Sequence, residues 1–357
     1  MKDRQSTLST LYEVHMPTAV SRVNVQYGYT IGRGEQFGPG FSTPVFAARG
    51  EGDLLYVLCR ASEYRPEGTR ITVLTVDEEY VTTFARGVPS QGPHEFNFDD
   101  GSMVWPTSIA FDSDWNVYVT DEWLNRISIF TKDGDYISKW EERPGTGDGE
   151  LNRPSGIAFD ANDNAYVVDS GNNRIQKFTK DGRFLAKWGT PGHGDGEFDM
   201  PWGIDLDSED NVYIADWRND RIQKFSPDGQ FLMKFGRSGS GEGEFNRPSG
   251  VAVDNDGVIY VADWLNNRLQ VFDSDGSFVT ARTGDATISK WGKEKLDANR
   301  EMWTERERAY GLEREKDFWG PTGVTVDDEG RIFVCESARN RLQVYRTLSP
   351  TFVGPRL

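Results

Sequence analysis

Histidine and cysteine are scarce in this chain, so any chemistry falls mainly to carboxylates, guanidinium groups and indole rings. The three histidines are His15, His94 and His193. A three-histidine zinc site would need all of them, and His15 lies in an arm with no clear patterning. His94 and His193 are weak candidates for a mixed site with carboxylates, or are solvated loop residues. The two cysteines, Cys59 and Cys335, read as free thiols, which suits a reducing compartment. DSDWN and DNDGV look like fragments of a calcium loop but lack its closing glutamate, so they read as turns. No nucleophile elbow, phosphate loop or HExxH helix is present.

What remains is a set of acids, each ending a similar apolar run: Asp121, Asp169, Asp216, Asp263 and Glu336. Arg60 stands where blade one would carry the sixth. A carboxylate such as Asp121 or Glu336 is placed to serve as a general base, with Arg60 stabilising developing negative charge. Arg60 would alternatively bind a ligand carboxylate or phosphate, or pair with Glu336 in the adjacent blade. Asp169, Asp216 and Asp263 extend the set as ligand contacts. Next to the acids come Trp123 in DEWL, Trp217 in DWRN and Trp264 in DWLN, and Trp202 holds a place taken by Ser155, Ser249 and Thr322 elsewhere. Such indoles form flat apolar walls for a sugar, an aromatic group or a peptide side chain, or else pack against neighbouring loops.

The elements that must position these residues are repeats. PTSIAFD, PSGIAFD, PWGIDLD, PSGVAVD and PTGVTVD begin at Pro106, Pro154, Pro201, Pro248 and Pro321. Each is followed by a strand such as NVYVTD, then RIQKF or a close variant, and in all but the last by a DG turn and a fourth apolar run. A divergent first copy starts near Pro44. Four-stranded units at this period must pack face to face around an axis, which predicts an all-β, six-bladed propeller over residues 1–357 as one domain. Gly156, Ala158, Gly250 and Ala252 sit where innermost strands crowd near that axis. The sixth copy ends without a fourth strand, and residues 22–31 are expected to supply it and lock the ring.

Three segments break the pattern kept by the sister blades: RASEYRPEGTR, VPSQGPHEFNFDDGSMVWP and an insertion at 285–318. The insertion is rich in Glu, Lys, Arg and Leu, with Trp303 and Tyr310 seven apart, and is expected to form a helical cap between blades five and six. All three gather on one face, at one mouth of the channel. There the cap is expected either to close over a ligand, with Trp303 against it, or to pack as a solvated stabilising helix.

The pattern P-x-G-[IV]-A-[FV]-D, YV-x-D, N-x-R-[IL]-Q-x-[FY], DG and G-x-G-E-F-x-x-P resembles the NHL repeat over nearly the whole chain. In that family the strand-end aspartate commonly ties down its own loop through the following arginine, here Arg126, Arg174, Arg221, Arg268 and Arg341. The resemblance extends to peptidyl-hydroxyglycine lyases and six-bladed lactonases, which implies lyase or hydrolase chemistry on a small-molecule or peptide ligand, with a channel metal such as zinc or calcium. The alternative it implies is a non-catalytic protein-interaction scaffold, which a covered pocket favours less than the enzyme reading. A net charge of −17 argues against nucleic acid and membrane surfaces as partners. With no leader or membrane span in view, a cytoplasmic monomer is the expectation.

Overall fold

The second strand of each repeat is built from β-branched, aromatic and small apolar residues, the composition of a strand covered on both faces. Val117–Asp121, Val212–Asp216 and Ile259–Asp263 are accordingly buried throughout. A computed structural model describes residues 23–36, 38–61, 66–85, 100–140 and 144–348. These form six four-stranded antiparallel sheets, each ordered by sequence from the innermost strand outward except the last. The innermost strands are Pro44–Arg49, Pro106–Phe111, Pro154–Phe159, Ile204–Leu206, Pro248–Val253 and Pro321–Val326. In the last blade the outermost strand is Asn24–Ile31, paired antiparallel with Arg341–Leu348, so both chain ends share one sheet as expected.

Two sets of glycines show why the blades pack as closely as they do. Near the axis, a methyl group at Gly156 would lie 2.7 Å from the Trp202 carbonyl oxygen, and one at Gly250 would lie 2.9 Å from that of Thr322. In the DG turns, Gly182 and Gly229 have φ of +84° and +82°, and an added methyl would strike Trp140 and Trp188 of the preceding blade. The apolar faces between blades form a succession of clusters rather than one central core.

The insertion folds as two helices, α1 (Lys290–Asp297) and α2 (Arg300–Arg308), followed by a single 3₁₀ turn at Leu312–Glu315. Ser289 caps α1 by accepting from the Gly292 N–H, and Asn299 caps α2 by accepting from Glu301. Tyr310 falls beyond α2 and is fully exposed, so the expected seven-residue face with Trp303 does not form. Trp291 anchors the cap: it is 4% exposed, and its ring lies 5.8 Å from that of Phe41. Arg33 donates to the Trp291 carbonyl at 2.8 Å.

Cys59 and Cys335 are free and buried in one cluster, and burial raises both thiol pKa values, that of Cys59 to about 11. Among the described residues no helix is long and apolar enough to cross a membrane.

Candidate functional site

The strand-end acids serve the loops. Asp169 meets Arg174 at 2.7 Å, Asp216 meets Arg221 at 2.8 Å, Asp263 meets Arg268 at 2.7 Å and Glu336 meets Arg341 at 2.6 Å. The other oxygen of each accepts a backbone N–H from the loop entering its own blade: Asn152, Asp199, Asn246 and Trp319 respectively. Asp121 accepts from the N–H groups of Val104, Trp105, Trp123 and Leu124. All five carboxylates are at most 1% exposed. Burial raises the carboxyl pKa of Asp121, Asp169, Asp216 and Asp263 against the pull of these donors. Asp121 and Glu336, expected as general bases, and Asp169, Asp216 and Asp263, expected as ligand contacts, are thus buried and bonded to their own loops. The tie to the following arginine, implied by the family resemblance, is present in the last four of the acidic blades.

Strand register also moves Arg60. Cys59 lies opposite Pro44 just as Asp169 lies opposite Pro154 and Asp263 opposite Pro248. Cys59 therefore holds the acidic column, and Arg60 is one residue on, level with Glu122, Ser170, Trp217, Trp264 and Ser337. That column faces the channel. All of its members except Ser170 line a cavity of about 420 Å³ at the mouth. Trp202 lines it too, from the column occupied by Val45, Thr107, Ser155, Ser249 and Thr322. Ser155 and Ser249 there donate to carbonyls of the next innermost strand, a bond that an indole at Trp202 gives up.

The mouth has two unlike halves. On the side of blades four and five, Trp202 and Trp217 lie 6.4 Å apart, and Trp217 and Trp264 stack at 6.1 Å. On the side of blades one to three, Glu122 is shared by Arg60 at 2.8 Å and Arg153 at 2.9 Å. The Glu122 side chain is 2% exposed, whereas Arg153 is 49% exposed. Arg60 also lies 4.5 Å over the ring of Trp105. Arg60 thus pairs with Glu122 and not with Glu336. The strand-end acids are absent from the mouth, which is rich in arginine, since Arg60, Arg153 and Arg218 line it against Glu122 alone.

Backbone geometry at the rim adds strain. Thr43, Arg153, Met200 and Arg247, each just before a blade's first proline, have φ between 50° and 60°. Each costs about 1–2 kcal/mol relative to ordinary backbone, and such strain persists where surrounding bonds over-determine it. Here those bonds come from Asn340, Asn125, Asn173 and Asp220, which accept the four N–H groups at 2.6–2.7 Å. These acceptors are themselves left-handed, a conformation Asn and Asp tolerate. Each one ties a blade to the next, and three of the four residues so held, Thr43, Arg153 and Met200, line the cavity.

Several expected residues lie elsewhere. Trp123 is two residues beyond Asp121, half exposed, and packs on Trp105 outside the cavity lining. Trp303 donates to Asp297 within the insertion, and no residue of the insertion lines the mouth, so the cap is not a lid over it. His193 is exposed and bonded to Asn219, while His94 lies outside the described residues. Among the described residues no group of three metal-ligating side chains converges. The mouth does not fit a divalent cation, because its one carboxylate is already shared between two guanidinium groups.

Sequence reasoning missed Glu122, Arg153, Met200 and Arg218. Two columns carry the signal for the first three, the residue after the acid and the residue before the proline, while Arg218 lies one position beyond the first of them. It also missed Asp205, which lines a second cavity of about 310 Å³ at the far end of the channel. The sister blades place Ala48, Ala110, Ala158, Ala252 and Thr325 in that column. Asp205 accepts the Val253 N–H at 2.8 Å, and burial raises its pKa to about 7.

The NHL-repeat model matches residues 151–178, 198–225, 245–272 and 318–345. No curated protein matches the chain. Among solved structures the chain is similar to streptogramin B lyase, at 13% identity and a TM-score of 0.53, covering 93% of this chain and 100% of that one. It is similar to a catalytically inactive histidine-to-alanine variant of virginiamycin B lyase from Staphylococcus aureus with quinupristin, at 13% identity and a TM-score of 0.54, covering 91% and 100%. It is also similar to an auxiliary nutrient binding protein from Bacteroides thetaiotaomicron, at 13% identity and a TM-score of 0.60, covering 90% and 76%. Identity this low speaks to fold alone. The chain thus carries four NHL repeats within a closed six-bladed β-propeller.

Proposed function

We propose that this protein binds a small amphipathic anion at the channel mouth, with a flat apolar ring on Trp202, Trp217 and Trp264 and a carboxylate or similar group on Arg60 and Arg153. The observation that carries this reading is a single cavity with an indole wall across from two guanidinium groups that share one carboxylate. Indole faces take a ring without needing hydrogen-bond direction, and an arginine fork fixes the orientation of an oxyanion. A concave site of this size suits a small ligand better than the flat face of a protein-interaction scaffold.

Lyase or hydrolase chemistry is the finer reading, and it rests on Glu122 as the acid–base group with Arg60 beside the developing charge. The structural neighbours that are lyases favour it only through shared fold. The histidine replaced in one of them has no counterpart at this mouth among the described residues.

The test is calorimetric titration with 2-naphthoate and its neutral analogue 2-naphthylmethanol. Arg60→Ala is expected to weaken naphthoate by about tenfold and the neutral analogue little, about 1.4 kcal/mol of anion-specific binding. Trp202→Ala weakens both, and each variant keeps its unfolding free energy within about 1 kcal/mol. Unchanged affinities in both variants would refute the proposal.

A further inference from the structure

The insertion builds a third cavity, of about 410 Å³, between α1, α2 and the end of the Asn24–Ile31 strand. Arg33, Lys295, Arg306, Lys316, Arg339 and Arg341 line it, with Glu315 as the one acidic residue among them. Three carboxylates reach these cations. Glu35 lies 3.1 Å from Lys295 and 3.9 Å from Arg33. Glu315 holds Arg306. Glu336 lies 3.2 Å from Arg339 and 2.6 Å from Arg341.

Six positive groups against three negative ones leave an excess of three charges, on a chain whose net charge is −17. Local reversal of that kind concentrates anions from solution, and like charges held together are relieved by a bound anion. Donors are also left over. Lys316 has no carboxylate within ion-pair distance among the described residues, and the buried Nε of Arg33 has no hydrogen-bond partner. Among the described residues no α-helix lies between the other blades.

The geometry points to a binding site in this cavity for a small, multiply charged oxyanion of the phosphate-ester class. Guanidinium forks match tetrahedral oxyanions, and a concave lining selects a small molecule over an extended polyanion. The site shares no lining residue with the channel mouth and does not depend on the function proposed for it.

Inorganic pyrophosphate, titrated into the full chain at constant ionic strength by calorimetry, is the probe. It is expected to bind saturably at one site and to raise the thermal midpoint. Lys316→Glu, on an exposed side chain, is expected to weaken it by about tenfold or more, since a reversed charge counts twice. The double variant Lys295→Gln with Lys316→Gln is expected to weaken it also, while Arg60→Ala leaves it unchanged. No saturable binding at millimolar pyrophosphate, or wild-type affinity in both lysine variants, would overturn the assignment. So would a loss on Arg60→Ala, which would place the anion at the channel mouth.

Discussion

Asp216→Ala is expected to lower the unfolding free energy by about 3–5 kcal/mol, the range for removing one partner of a buried, hydrogen-bonded ion pair. Asp216 accepts from the Asp199 N–H, from Asn219, from Arg221 and from Gln223. Without it, the Arg221 guanidinium stays buried with only the carbonyls of His193, Gly194 and Glu197 as partners. The loss also reaches the mouth, because Trp217 follows Asp216 directly and Met200 lies in the loop that Asp216 ties. Denaturant unfolding and naphthoate titration should therefore fall together in Asp216→Ala, whereas Trp202→Ala should lose binding alone. A stability loss under 1 kcal/mol would mean that the loop is held by its other bonds, and the structural role given to the strand-end acids would be wrong.

Asp205→Ala is expected to act in the opposite direction, and to do so by pH. The carboxyl has a folded pKa raised to about 7, above the ordinary value of an unfolded aspartate. A raised carboxyl pKa penalises the charged form in the folded state. Its cost is therefore absent below the unfolded pKa, grows as pH rises towards 7 and is complete above 7. Because Asp205 opens in part to channel water, that full cost is about 2–4 kcal/mol. Asp205→Ala, which installs the residue most sister blades carry, should be more stable than wild type by that amount at pH 8. Near pH 4 it should show no gain, or a small loss from the bond to Val253. Equal stability differences at both pH values would contradict the raised pKa.

Much of this molecule was legible because it repeats. Five proline-led segments set the blade starts, and the missing last strand pointed to the N-terminal residues that supply it. Gly156 and Gly250 were readable as axis positions because only a missing side chain fits there. The site was read less well, for a reason of register. Side chains alternate in a strand, so placing Arg60 in the acidic column rather than one past it exchanged a buried loop tie for a channel-facing group. That single shift hid Glu122 behind Trp123 and made the buried acids look like the reactive ones. Trp202 was found because it breaks its column, and Asp205 breaks its own column as plainly. The insertion was legible as helix from composition, but where it docks depends on Trp291 packing against Phe41, a tertiary contact with no local signature.

The most direct test of the central claim is a crystal structure of the protein soaked with 2-naphthoate. The account predicts the naphthalene ring against Trp202 and Trp217, with the carboxylate within hydrogen-bond distance of Arg60 or Arg153. Naphthoate seated at the Asp205 end of the channel, in the insertion cavity or only on the outer surface would contradict it.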